Sequence, residues 1–315
     1  MAERINISKM VNLRDYQLEA VSKMKKGCIL NGGTGSGKSI TSIYYYFISN
    51  GGSFDGGFHK MKNPKDLYII TTAMKRDKGE WEGELGPFLL STNPKYNKNG
   101  CKVVVDSWNN IKKYEDVKDA WFIFDEDKVT GYGAWAKAFL KIVRSNFWYI
   151  LSATPGDNWT DYMTVFIANG FYKNKKQFED EHVKFSYYAG YPKVDRYYNV
   201  GRLLRLRNSI LIDMDFERET VQNHIDVHVD FDKPTYNLMV KDRWNIFENK
   251  PFDTASELCY ALRKLVNSDE SRQAAVLEIF EKRPKVIIFY NFDYELEILK
   301  SCTYLTKDGK VREVA

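Results

Sequence analysis

Short apolar runs recur along the chain at Cys28-Ile29-Leu30, Leu67-Tyr68-Ile69-Ile70, Val103-Val104-Val105, Trp121-Phe122-Ile123-Phe124, Trp148-Tyr149-Ile150-Leu151 and Val286-Ile287-Ile288-Phe289. They are continuous rather than alternating, the pattern of strands covered on both faces and therefore of a mostly parallel sheet with helices above and below. Polar, helix-like segments separate them, among them one opening at Ile40 to Ile48, so the predicted fold is α/β and doubly wound. In such sheets ligands sit outside the carboxyl ends of the strands. The polar residues that follow the runs, Thr71-Thr72, Asp106-Ser107, Asp125-Glu126 and Ser152-Ala153-Thr154, are thus expected along one edge.

Beyond Asp161 the pattern changes. Residues 161–218 mix aromatics and lysines with poor periodicity and read as helical insertions; His224 to Phe231 alternates strictly and reads as a half-solvated strand. His224, Asp226 and His228 share a face there, and a polar strand face explains them better than a metal site. Tyr236 to Lys282 reads as helical, with Pro284 marking the start of a new strand.

With 315 residues and 43% hydrophobic positions, the chain can bury one large core and begin a second domain. No apolar run approaches the roughly 20 residues of a membrane span, and the first residues lack the apolar block of a signal peptide, so a cytoplasmic protein without membrane contact is expected. The four cysteines are scattered and suggest neither a disulfide framework nor a thiolate metal site. A net charge of +5 permits a polyanionic partner without demanding one, and clusters such as Arg202-Arg205-Arg207 read first as solvated faces.

Chemistry enters at Gly32-Gly33-Thr34-Gly35-Ser36-Gly37-Lys38-Ser39, which fits the phosphate-loop pattern G-x-x-x-x-G-K-S/T. Between a short strand and a helix, the backbone N–H groups of Gly33 to Gly37 can turn inward around phosphates and the helix N-terminus adds positive charge. Lys38 is then expected to neutralise phosphate oxygens of a nucleoside triphosphate and Ser39 to ligate Mg²⁺. At the end of the Trp121–Phe124 run stand two acids with distinct expected tasks: Asp125 anchors the metal and Glu126 orients the attacking water.

These motifs resemble those of superfamily 2 helicases, and within them Swi/Snf-type double-stranded DNA translocases and their bacteriophage relatives. Leu13-Arg14-Asp15-Tyr16-Gln17 is similar to the glutamine motif, which implies that Gln17 reads adenine. Leu67 to Leu85, with Thr71, Trp81 and Glu84, resembles motif Ia; Val103 to Trp108 resembles motif Ib; Leu151-Ser152-Ala153-Thr154-Pro155 resembles motif III; Val286 to Phe292 resembles motif IV. The resemblance implies a RecA-like ATP-binding lobe over residues 1–232, a helical linker over 233–283 and an incomplete second lobe over 284–315. It further implies a nucleic-acid partner, duplex DNA before others, contacted through its phosphates by Thr71, Thr72, Ser107 and Trp108, with Ser152 and Thr154 relaying the nucleotide state.

Two departures stand out: Asp127-Lys128 replaces the small residue and histidine usual in the acidic box, and nothing after Phe292 resembles motifs V and VI. The resemblance therefore implies a chain that binds ATP but hydrolyses it weakly until a second helicase lobe or another phage protein completes it. A nucleotide kinase or an ATP-gated binding module is the competing reading of the same loop.

Overall fold

The apolar runs between residues 28 and 151 pair with one another because each offers side chains to two covered faces at once. In the computed structural model, which describes residues 11–126, 129, 131–186, 191–216, 223–283, 285–305 and 311–314, the chain divides into two compact units, Met1–Glu219 and Thr220–Ala315. The first is built on strands β1 (Ile29–Asn31), β2 (Leu67–Thr71), β3 (Val103–Ser107), β4 (Trp121–Asp125) and β5 (Phe147–Ser152), the hairpin β6 (Val183–Ser186) and β7 (Lys193–Tyr197), and β8 (Leu211–Asp213). Its helices are α1 (Asp15–Lys23), α2 (Lys38–Ser49), α3 (Ala73–Asp77), α4 (Glu80–Leu85), α5 (Ala134–Ile142), α6 (Met163–Ala168), α7 (Lys175–His182) and α8 (Val200–Ile210).

The central sheet runs β3-β2-β4-β5-β1-β8, with every neighbouring pair parallel. Alternate residues of each strand feed two separate cores. On one face Leu30, Leu67, Ile69, Ile123, Tyr149 and Leu151 pack with Ala20 of α1, Ile43 and Phe47 of α2, and Trp81 and Leu85 of α4. On the other, Ile29, Ile70, Phe122, Phe124 and Ile150 pack with Phe139 of α5, Phe166 of α6, Phe178 of α7 and Leu203 of α8. The sheet is thus the doubly wound, parallel α/β arrangement expected from the continuous runs.

One local expectation in the first unit needs correction. The segment 161–218 is not only helical: it holds the β6–β7 hairpin and β8, which pairs with β1 through Ile29↔Leu211 and Asn31↔Asp213. Only three residues long, β8 leaves too little periodicity to recognise.

The second unit holds α9 (Lys233–Asp242), a short β9–β10 hairpin (Trp244–Asn245 with Lys250–Pro251), α10 (Ala255–Asn267), α11 (Glu270–Lys282), α12 (Asp293–Ser301) and a β11–β12 hairpin (Thr303–Leu305 with Val311–Glu313). The strand expected over Val286–Phe289 does not form; Ile287 is 83% and Phe289 92% exposed. No strand lies beside it among the described residues, and an extended segment without ladder partners leaves its backbone groups to water. Residues 224–231 likewise form no strand, and Ile225 and Val227 are exposed. Among the described residues no three His, Cys, Asp or Glu side chains converge on a metal position.

Candidate nucleotide-binding site

β1 delivers the chain into the glycine loop, and α2 begins at Lys38 immediately after it. Gly35 and Gly37 have φ of +85° and +78°, left-handed values that glycine alone adopts without steric penalty. At Gly37 the requirement is doubled, since a Cβ there would stand 2.5 Å from Gln17 Nε2. Lys38 Nζ curls back over the loop and donates to the carbonyls of Gly32 at 2.5 Å and Gly33 at 3.0 Å. Ser36 Oγ is buried within the loop and has no hydrogen-bond partner among the described residues.

α1 braces this loop from below. Tyr16 OH donates to the Ser36 carbonyl at 3.0 Å, and Gln17 Nε2 donates to Thr41 Oγ1 at 3.1 Å and weakly to the Gly37 carbonyl at 3.4 Å. Gln17 Oε1 accepts from the Arg14 N–H at 2.8 Å. Only 6% exposed, the carboxamide expected to read adenine is committed at both ends to holding the loop and α1 together.

The acid pair sits at the end of β4. Asp125 is buried; its Oδ2 accepts from Thr71 Oγ1 at 2.7 Å and from Lys75 Nζ at 3.0 Å, while its carbonyl accepts from Trp108 Nε1 at 3.0 Å. Glu126 turns out of the strand with φ +58°, an uncommon value for a residue carrying a Cβ, and its N–H donates to the Leu151 carbonyl at 3.0 Å. Its half-exposed carboxylate pairs with Lys75 at 2.9 Å. Asp127 and Lys128, which mark the departure from the usual acidic box, lie outside the described residues.

Lys75 is a cleft side chain to which no sequence motif pointed. It belongs to α3, whose N-cap Thr72 accepts the Lys75 N–H on Oγ1 at 3.3 Å. The rule that placed the acids at the strand ends also covers the turn after β2, but a lysine there looks like any solvated lysine. Burial opposes its charge, yet hydrogen bonds and charge from Glu126 and Asp125 outweigh that and hold its pKa above the ordinary lysine value. Lys38 moves the other way: burial, with Lys75 acting in the same sense, lowers its pKa against the pull of Asp125 and Glu126. Glu84 lines the same cleft, and burial raises its pKa.

Of the residues expected at a polymer, Thr72 is partly exposed, but Thr71, Ser107 and Trp108 lie beneath the surface. Trp108, 3% exposed, stacks on Phe124 with ring centroids 5.5 Å apart and spends its N–H on Asp125. An indole so enclosed braces the acid strand and offers no face to a ligand. Ser107 Oγ instead accepts from Arg76, which also binds Asp106 at 3.1 Å. Asp106 gathers the Ser107 N–H, Asn110 Nδ2 and Tyr114 OH as well; burial works against its charge, and these donors together bring its pKa down to about 2. Ser152 is buried, its Oγ accepting the Thr154 N–H at 3.1 Å, while Thr154 is exposed.

Thr34, Gly35, Lys38 and Ser39 of the loop, Lys75, Asp125 and Glu126, and Ser152 to Thr154 line one cleft of about 510 Å³, within the range of small-molecule sites. Its anionic and hydroxyl donors are all hard oxygens, a donor set suited to Mg²⁺. A glycine loop leading into a helix, facing an acid pair across the carboxyl edge of a parallel sheet, defines an α/β lobe of phosphate-loop architecture. No protein-family model and no curated protein matches the chain. Among solved structures it is similar to the helicase domain of Pyrococcus furiosus Hef, at 16% identity and a TM-score of 0.35; the match spans 55% of this chain and 41% of that one.

Proposed function

We propose that the protein is a Mg²⁺-dependent ATP hydrolase that acts as the motor lobe of a DNA translocase or helicase. The observation that carries this reading is the convergence of the glycine loop, the acid pair and the Ser152–Thr154 turn on one cleft. Loop N–H groups and Lys38 would hold the β- and γ-phosphates, and Ser39 and Asp125 would hold Mg²⁺, which when bound neutralises phosphate charge. Glu126, at the open side of the pair, would orient a water in line with the γ-phosphorus and draw off its proton. Ser152 and Thr154, joined by their own hydrogen bond, would sense the phosphate and pass its state along the edge.

ATP hydrolysis measured with and without duplex DNA tests the reading. Stimulation by DNA that weakens as salt rises is the expected result, because phosphate contacts release counterions. Hydrolysis indifferent to DNA would favour a nucleotide kinase or an ATP-gated binding module, and no ATP binding at all would remove the nucleotide reading.

A further inference from the structure

The cleft holds two lysines, and only one of them belongs to the phosphate loop. Lys38 is occupied by the carbonyls of Gly32 and Gly33. Lys75 reaches Asp125 Oδ2 at 3.0 Å and Glu126 Oε1 at 2.9 Å, and is the only cation paired with Glu126 among the described residues. Without that pairing the Glu126 carboxylate would sample several rotamers, since it is half-exposed and its backbone N–H is already committed to Leu151. Lys75 itself is firmly mounted. The Thr72 cap fixes its backbone, and the next residue, Arg76, is tied to Asp77, Asp106 and Ser107, which anchors α3 on the side away from the acids.

We propose that Lys75 is the residue that positions Glu126 for hydrolysis and that, by sharing its ammonium between both carboxylates, it keeps the acid pair from gathering a divalent cation by itself. The first half rests on the proposed hydrolytic function; the second does not. Lys38 serves the loop and Lys75 serves the acids, so the site's two positive charges have separate tasks. Lys75 touches neither the phosphates nor the attacking water in this scheme and acts through Glu126.

The test uses the full chain with Lys75→Met, Lys75→Arg, Glu126→Gln and the Lys75→Met/Glu126→Gln pair, with Lys75→Gln replacing methionine if that variant does not fold. Mn²⁺ alone, followed by its free-ion electron paramagnetic resonance signal, should bind the Lys75→Met protein about tenfold more tightly than the unaltered one, because a like charge has left the carboxylates. Lys75→Arg should not show the gain, and the double variant should lose it. In single turnover Lys75→Met should slow ATP hydrolysis by about 10²-fold, the size of a misplaced general base, with affinity for a fluorescent ATP analogue within about threefold. Lys75→Arg should recover most of the rate, and the double variant should be no slower than Glu126→Gln. Unchanged Mn²⁺ affinity, a near-normal rate in Lys75→Met, or further multiplicative slowing in the double variant would overturn the proposal. Should the unaltered chain hydrolyse no ATP even with duplex DNA, the proposed function falls and the Mn²⁺ measurement still decides what Lys75 does.

Discussion

Lys38 and Glu126 share a cleft but differ in what their loss should do. Lys38→Ala removes a cation from a loop whose fold rests on glycine geometry and on bracing from α1, so the protein should stay folded while ATP affinity falls by at least about tenfold. Glu126→Gln keeps the shape but cannot accept a proton, so binding should persist while turnover drops by about 10²-fold or more. Equal loss of binding and turnover in Glu126→Gln, read by equilibrium binding beside steady-state rates, would make Glu126 structural. Gln17 gives a sharper contrast. If its carboxamide read adenine, Gln17→Ala would relax base preference; engaged with Arg14, Gly37 and Thr41, it should instead weaken ATP and GTP alike, by about fivefold for a lost hydrogen bond of ordinary strength. Parallel titrations with the two nucleotides separate the outcomes.

α3 and the end of β3 form one element-scale unit through Arg76 and Asp106. Because the folded Asp106 has its pKa at about 2, below the ordinary carboxylate value near ~3.9, its charge stabilises the fold fully above ordinary carboxylate titration and loses that effect as pH falls toward 2. The melting-temperature gap between the unaltered protein and Asp106→Asn should therefore be at full width at about pH 5 and above and narrow toward about pH 2; a gap independent of pH would show that the charge carries none of it. The elements themselves were legible in the sequence wherever burial was two-sided. The runs at 67–70, 103–105, 121–124 and 148–151 became β2 to β5 because neighbours and helices covered both faces. The run at 286–289 is as apolar but has no neighbouring strand among the described residues, so the same pattern produced an exposed segment. At the site, the loop and the acids could be read because glycine spacing and paired carboxylates are rare combinations. Lys75, and the burial of Thr71 and Trp108, could not, since both depend on which strand ends meet in space.

At the scale of the molecule, the parallel order of all six central strands places every residue of the cleft on one rim of the sheet. The opposite rim, where the strands begin, carries turns such as Asp116 to Ala120 ahead of β4. That polarity makes the first unit a natural object for tethering. Lys118 is exposed on the far rim, and of the native cysteines only Cys259 is exposed, so a Lys118→Cys, Cys259→Ser protein offers a defined handle for a dye or a bead once labelling of the half-exposed Cys101 has been checked. A handle at Lys118 should leave nucleotide binding and hydrolysis as they were, whereas the same group at Thr154 should block both; loss of binding with the Lys118 handle would mean that the two rims communicate. One side of the sheet can then be fixed to a surface while the other is left free to work, and any force or displacement the protein generates becomes measurable on a single molecule.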